Sequence, residues 1–263
     1  YSYLPNSDLL SVISNLQSSV VSTRSYEDNR NLLTQVKNMA GTNLVSQFEY
    51  TNDAIGRRTK RVDTSTAITT NDFGYNNRSE LTSAGMGINN YAYLFDQIGN
   101  RITASDNVDE WTYLCNVLNQ YTNITDGVTL TPAYDDDGNM VQGPLSSFGG
   151  PLLDSVLGWN GENRMISASN TAMVASYSYD YMGRRFSKTV NGTNTTFIYD
   201  GWLLIQEQSA SGGNFTTNFY TWGADLSGSM QGAGGIGGLL SVTRITSEGA
   251  ATYYPCVDGN GNI

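Results

Sequence analysis

Histidine is absent from the 263 residues. Ser-His-Asp and Cys-His catalysis, imidazole metal sites and a histidine pH switch are excluded together. Charge is sparse as well: 14 Lys+Arg stand against 24 Asp+Glu, for a net charge of −10, and charged residues make up 14% of the chain. There is no basic cluster, so nucleic acid is not an expected partner, because phosphate binding needs a cationic stripe. No apolar run reaches the ~18 residues of a membrane span, and none is expected. An initiator Met, a basic n-region and an apolar signal segment are all missing, so the chain reads as an excised or processed piece of something longer. Cysteine occurs twice, at Cys115 and Cys256. A disulfide is permitted outside the cell, but two free thiols are the expectation, since nothing in the pattern brings the two positions together.

What is present points to strands and turns. Ser, Thr and Asn number 27 each, Gly 28 and Tyr 17. Thr and aromatic residues favour strands, while Gly and Asn favour tight turns. Few charges and many aromatics argue against a disordered tail. A surface built from Ser, Thr and Asn suits a secreted or cell-surface protein.

Internal repetition organises the whole chain. The run Tyr179-Asp180-Tyr181-Met182-Gly183-Arg184 serves as template. Its acid-or-Asn position recurs at Glu27, Asp53, Asn76, Asp96, Asn116, Asp135, Asn160, Asp180, Asp200 and Asp258, with gaps of 19 to 26 residues up to Asp200. Aromatics precede it, with Tyr50, Tyr75, Phe95, Tyr113, Tyr134, Trp159, Tyr179 and Tyr199 directly or nearly adjacent. Further aromatics two residues earlier put the set on one face of a strand. The acid or Asn opens a turn by accepting backbone N–H bonds. Three residues on, the chain needs a left-handed residue, supplied by Gly56, Gly99, Gly138, Gly183, Gly261, Asn119 and Asn163. Arg57, Asn100, Gln120, Asn139, Arg164, Arg184 and Asn262 follow.

A period of about 20 residues holds two strands of about 6 residues and two turns, which is a β-hairpin. One hairpin is not stable alone, so neighbours must stack into a continuous sheet. The expected fold is all-β, with antiparallel β-hairpin repeats stacked into a spiralling, shell-like open arc. One array spans residues 1–263, and residues 221–263 form a degenerate Gly-rich stretch. Ser7 to Val21 has weak helical spacing but is read as strand, because Ser and Val crowd it.

The Tyr-Asp-x-x-Gly-Arg pattern around Asp53, Asp96 and Asp180 resembles the YD repeat of bacterial RHS proteins, with relatives in Tc-toxin cocoon subunits and teneurins. Tyr220-Thr221-Trp222-Gly223-Ala224-Asp225-Leu226-Ser227-Gly228-Ser229, the Gly-rich run to Leu240, and Asp258-Gly259-Asn260-Gly261-Asn262 look like the approach to an RHS-associated core. Tyr199-Asp200-Gly201-Trp202 fits too. The resemblance covers essentially the whole chain. It implies a β-sheet that spirals into a hollow shell, enclosing an effector in toxins and serving as a recognition scaffold in teneurins. The family's autoprotease motif Asp-Pro-x-Gly does not occur in this sequence, so self-cleavage is not carried over. About ten to thirteen hairpins predict an open arc with two exposed sheet edges.

Other chemistry is weak beside this. Asp135-Asp136-Asp137-Gly138-Asn139 suggests a Ca²⁺ loop, but an EF-hand pattern counted from Asp135 puts Met140 and Ser146 where Gly and Glu belong. A repeat turn with extra acids accounts for it. Gly232-x-Gly234-x-x-Gly237 fits a dinucleotide fingerprint only formally, since glycine fills six of the eleven positions from Gly228 to Gly238 and no βαβ context surrounds it. A compact connection or plug against the shell wall is expected there. Most acids are explained as turn formers, so a glycosidase carboxylate pair is not expected. Aromatic stripes leave glycan contact as a candidate interaction. The sequence therefore predicts a non-enzymatic structural segment with no catalytic, cofactor or metal residues. Its expected partners are the rest of its own precursor or neighbouring copies of itself. A self-assembling fibre and an adhesive surface module are the alternatives.

Overall fold

A computed structural model describes residues 1–15, 18–146 and 152–263. Among these residues every regular element is a β-strand, and all strand pairs are antiparallel between sequence neighbours. Thirteen strands, from Ser2–Tyr3 to Val128–Leu130, form one sheet, and eleven, from Ala133–Tyr134 to Gly249–Tyr253, form a second. Neither closes into a barrel, so the expected all-β open shell is observed. Strands Leu10–Asn15 and Val20–Tyr26 occupy the stretch with weak helical spacing.

The expected continuous sheet is interrupted once. Residues 128–134 form one extended run whose first part pairs backwards, Leu130 with Ile124, and whose last part pairs forwards, Tyr134 with Met140. Between them lies the buried Pro132. Proline has no N–H to donate to a ladder, so pairing stops there. The Tyr134 hydroxyl still crosses the gap and donates to the Tyr121 carbonyl at 3.1 Å.

Cross-strand register places the repeat aromatics on one face. Phe73 faces Ala84, which faces Tyr91; Tyr93 faces Ala104, which faces Trp111. Large rings thus alternate with small residues, and Ala84 and Ala104 are buried between them. In the second sheet Leu157, Ala168 and Ala175 make a buried cluster flanked by Met140, Met165 and Tyr177. The opposite face carries exposed residues such as Leu94, Leu114 and Ile198.

Each hairpin also bends in the same place. Arg101 faces Phe95 while Thr103 faces Leu94, which leaves Ile102 over as a bulge. The same one-residue surplus falls on Thr59, Thr82, Thr122, Ile166 and Phe186. A bulge bends its strand and increases local twist, so a bulge in every repeat curls the sheet steadily. As a result, residues from the end of the chain meet its beginning: Asn38 bonds Val257, and Tyr1 bonds Ala224.

Candidate functional site

Successive turns form the most regular constellation in the molecule. At Asp53 the N–H donates to the Arg57 carbonyl at 2.9 Å, and the Gly56 N–H returns to the Asp53 carbonyl at 3.1 Å. One carboxylate oxygen, Oδ1, accepts the N–H groups of Ile55 and Arg57, while Oδ2 accepts Arg57 Nε at 2.6 Å. Gly56 sits at φ +89°, where a side chain would be strained.

This geometry recurs at Asp96 with Gly99 and Asn100, at Asp135 with Gly138 and Asn139, and at Asn160 with Asn163 and Arg164. It recurs again at Asp180 with Gly183 and Arg184, and at Asp258 with Gly261 and Asn262. In the Asn76 turn the left-handed residue is Ser79, at φ +65°. For Asp53, Asp96 and Asp180, burial pushes the carboxyl up, but side-chain and N–H donors of the turn outweigh it and hold the group below the usual range. The Asn139 amide and its neighbouring N–H groups do the same for Asp135. Asp135 is thereby committed to its own turn. Among the described residues no three His, Cys, Asp or Glu side chains converge as metal ligands.

In five turns the last residue reaches the next turn. Arg57 donates to the Asn76 carbonyl at 3.0 Å and lies over the Tyr75 ring at 5.0 Å. Arg164 repeats this with the Asp180 carbonyl and Tyr179, and Arg184 with the Gly201 carbonyl and Tyr199. Where the residue is Asn, the amide bridges instead: Asn100 to Asn119 at 3.2 Å and Asn139 to Asn163 at 2.9 Å. The aromatic before four of the turns ties back to the preceding hairpin. Tyr75 donates to the Arg58 carbonyl, Trp159 to Met140, Tyr179 to Met165 and Tyr199 to Arg185, all at 2.7 to 2.9 Å. Phe95 has no hydroxyl and packs 6.5 Å from Tyr93, and Tyr113 packs 5.2 Å from Tyr121. The outcome is a ladder of side chains running from turn to turn across the hairpins.

Two copies depart from the pattern. The Glu27 turn is one residue longer, closing on Leu32 with Asn31 left-handed. Asp200 pairs with Leu203 around a two-residue turn, so it opens no such loop. One copy escaped the sequence reading. Asp225 closes on Ser229 with Gly228 at φ +78°, in the same arrangement. Its signal was the Asp225-x-x-Gly228 spacing, hidden among so many glycines. Asp225 is 4% exposed. Burial pushes its carboxyl up, but the Ser227 hydroxyl and the N–H groups of Ser227, Ala233 and Gly235 prevail and hold it at about 2.

The Gly-rich run forms turns with no helix. It fits where a side chain would not: a Cβ on Gly235 would lie 2.6 Å from Leu203, and one on Gly238 would lie 3.0 Å from the Gly223 carbonyl. The last turn of the chain then docks on the first sheet as a latch. The Tyr50 hydroxyl accepts the Gly259 N–H at 2.7 Å, and Arg58, stacked 3.8 Å over the Tyr50 ring, donates to Asn260. Arg61 faces Asp258 at 3.6 Å. Asn38, fully buried, donates to the Val257 carbonyl. Cys115 and Cys256 are free thiols, both half-buried, and burial pushes both thiols up.

The family model described as Teneurin YD-shell matches residues 3–209. A tRNA3(Ser)-specific nuclease WapA from Bacillus spizizenii is 28% identical over 178 residues, 65% of this chain and 6% of that protein. The tRNA nuclease WapA of Bacillus subtilis is 28% identical over 138 residues, 50% of this chain and 5% of that protein. This chain thus spans a small fraction of the length of these relatives. Among solved structures, TcdB2-TccC3 without its hypervariable C-terminal region has a TM-score of 0.44 at 13% identity, over 96% of this chain and 15% of that one. The Photorhabdus luminescens Tc holotoxin pore has a TM-score of 0.41 at 12% identity, over 94% and 15%.

Proposed function

This chain belongs to the teneurin YD-shell family, and on that premise we propose that it is a non-catalytic wall segment of a large secreted or cell-surface bacterial polypeptide. The wall encloses or presents another part of that polypeptide. Residues 221–263 lead from the repeat array into an RHS-associated core.

The observation that carries this reading is the ladder itself. The acids, arginines and tyrosine hydroxyls of the repeat turns are engaged in closing those turns and joining neighbouring hairpins. The WapA relatives are named as tRNA nucleases, but the matched stretch is 6% or less of their length. We assign nuclease action in such proteins to residues outside it. A second reading, head-to-tail assembly into a fibre, draws support from the open edge strand Gly249–Tyr253, every residue of which is exposed. Exposed aromatics such as Tyr181 and Trp202 are the candidates for glycan contact.

The test combines native mass with turnover. Light scattering on the purified chain is expected to give a single-chain mass, and incubation with total tRNA is expected to leave the RNA intact. A large, polydisperse species would favour the fibre. Cleavage of tRNA, lost on a carboxylate substitution, would overturn the non-catalytic assignment.

A further inference from the structure

Arg24 stands apart from the ladder. It lies in the strand Val20–Tyr26, across from Val36, on the face that carries Tyr50. It is 7% exposed, and its two terminal nitrogens, Nη1 and Nη2, are sealed from solvent with no acceptor among the described residues. A guanidinium cannot give up its proton in a protein, so burying one unpaired is costly. Burial pushes its pKa down, and the groups that oppose this are the phenols of Tyr26, Tyr50 and Tyr1. Those phenols are themselves pushed up by burial, so they are neutral at physiological pH and supply no counter-charge.

The nearby acids do not supply one either. Asp225 spends Oδ1 on Ser227 and Oδ2 on the N–H groups of Ala233 and Gly235. Asp258 serves its own turn and Arg61. Asp8 is exposed, where solvent screens it.

Beside Arg24 is a cavity of about 670 Å³, the size of a small-molecule site. Its walls are mainly apolar, with Tyr3, Leu9, Tyr26, Leu33 and Leu226 among them; Arg24 lines it, and so do Asp8 and Asp225, the one at the solvent-exposed rim and the other taken up by its own turn donors. Tyr1 also lines it, half-exposed and held by one long hydrogen bond of 3.4 Å to the Ala224 carbonyl. Movement of that ring, or of the flexible Arg24 stem, would bring the guanidinium into the cavity.

We propose that this cavity binds a carboxylate carried on an apolar body, with Arg24 as its charge partner. The planar guanidinium fork matches a carboxylate bidentately, and the tyrosine and leucine walls suit the apolar remainder. Two sources share this chemistry: a free organic acid, and the terminal or side-chain carboxylate of a polypeptide. The inference stands independently of the shell function.

Calorimetric titration of the purified chain tests it with matched pairs. One pair is 4-phenylbutyrate and its amide; the other is an acetylated dipeptide ending in phenylalanine, as free acid and as amide. Each acid is expected to bind at least about tenfold tighter than its amide, since only the acid offers a charge-assisted bidentate contact. Preference for the phenylbutyrate identifies a free acid as the source, and preference for the dipeptide identifies a polypeptide end. R24Q is expected to erase the acid-to-amide difference while leaving the ligand-free Tm unchanged or raised, because it removes an unpaired buried charge. A purely structural Arg24 would instead lower Tm and leave the ratio intact. Equal binding of acid and amide, binding of neither, or wild-type acid binding by R24Q would overturn the proposal. Should R24Q not fold, the acid-to-amide ratio on the wild-type chain decides the matter alone.

Discussion

Substituting Tyr50→Phe removes one oxygen from the latch and tests whether the end of the chain is held by the contact assigned to it. The hydroxyl accepts the Gly259 N–H at 2.7 Å from a residue that is 6% exposed. Phe keeps the ring, and with it the Arg58 stack, but leaves the Gly259 donor without its acceptor. Losing the partner of a part-buried donor costs about 1–3 kcal/mol. If that cost is felt globally, Tm falls by roughly 2–10 °C for a chain of this size. If the latch opens locally, the same cost appears as faster amide exchange at Gly259, by about 5- to 150-fold, with little change in Tm. Hydrogen exchange read by NMR separates the two cases, because Ala168 and Ala175 report the core. Tyr179→Phe is the control: it removes a bond to the Met165 carbonyl at 2.7 Å, far along the chain, and should leave residues 257–262 alone. Gly259 exchange within twofold of wild type, together with an unchanged Tm, would refute the latch.

Two further outcomes follow from the turns. Ser79 holds a left-handed conformation at φ +65° that costs a residue with a Cβ about 1–2 kcal/mol; Gly escapes that cost but gives back about 0.4–1 kcal/mol through its greater unfolded-state entropy. Ser79→Gly should therefore raise Tm by roughly 1–3 °C, and a lower Tm would show that the Ser79 side chain matters more than its backbone. The Asp225 carboxyl is held at about 2, below its unfolded value of 3.8. Its contribution to stability is fully present above pH 4 and is lost as pH falls towards 2. Acid unfolding followed by circular dichroism should be shallower between pH 4 and 2 for Asp225→Asn, which has no proton to take up, and a slope identical to wild type would contradict the assignment.

The repeat was legible because each copy solves one local problem with a few residue types. Asp53, Gly56 and Arg57 are adjacent in sequence, and their bonds are made within five residues, so the spacing alone carries the geometry. The coupling between turns was only half visible. Pairs such as Asp53 and Arg57 could be read, but the reach of Arg57 to the Asn76 carbonyl depends on how far each hairpin is offset from the next. Sequence does not state that offset. The interruption at Pro132 needed knowledge that one extended run serves two sheets in turn. Arg24 gave no signal at all, because an arginine in a strand of mixed Ser, Thr and Val reads as an exposed residue until its neighbours across 200 residues are known.

The latch and the bulges are one phenomenon seen at two scales. The described register has twelve shifts, and all but the one between Asn38 and Met39 follow a turn on the same edge of the sheets as the repeat turns. Bulges scattered over both edges would add curvature of opposing sense and largely cancel. Bulges confined to one edge add up. An accumulated bend is what can bring Asp258 to Arg61 and Gly259 to Tyr50 without a long linker. The glycines of the last segment then have a reason beyond turn formation. A Cβ on Gly259 would lie 2.4 Å from the Leu33 side chain and 3.0 Å from the Tyr50 ring, so a larger residue there would have to push these side chains aside at the point of contact. The period of the repeat sets the curvature, the curvature sets where the chain meets itself, and the glycine spacing of residues 228–261 is what lets it close there.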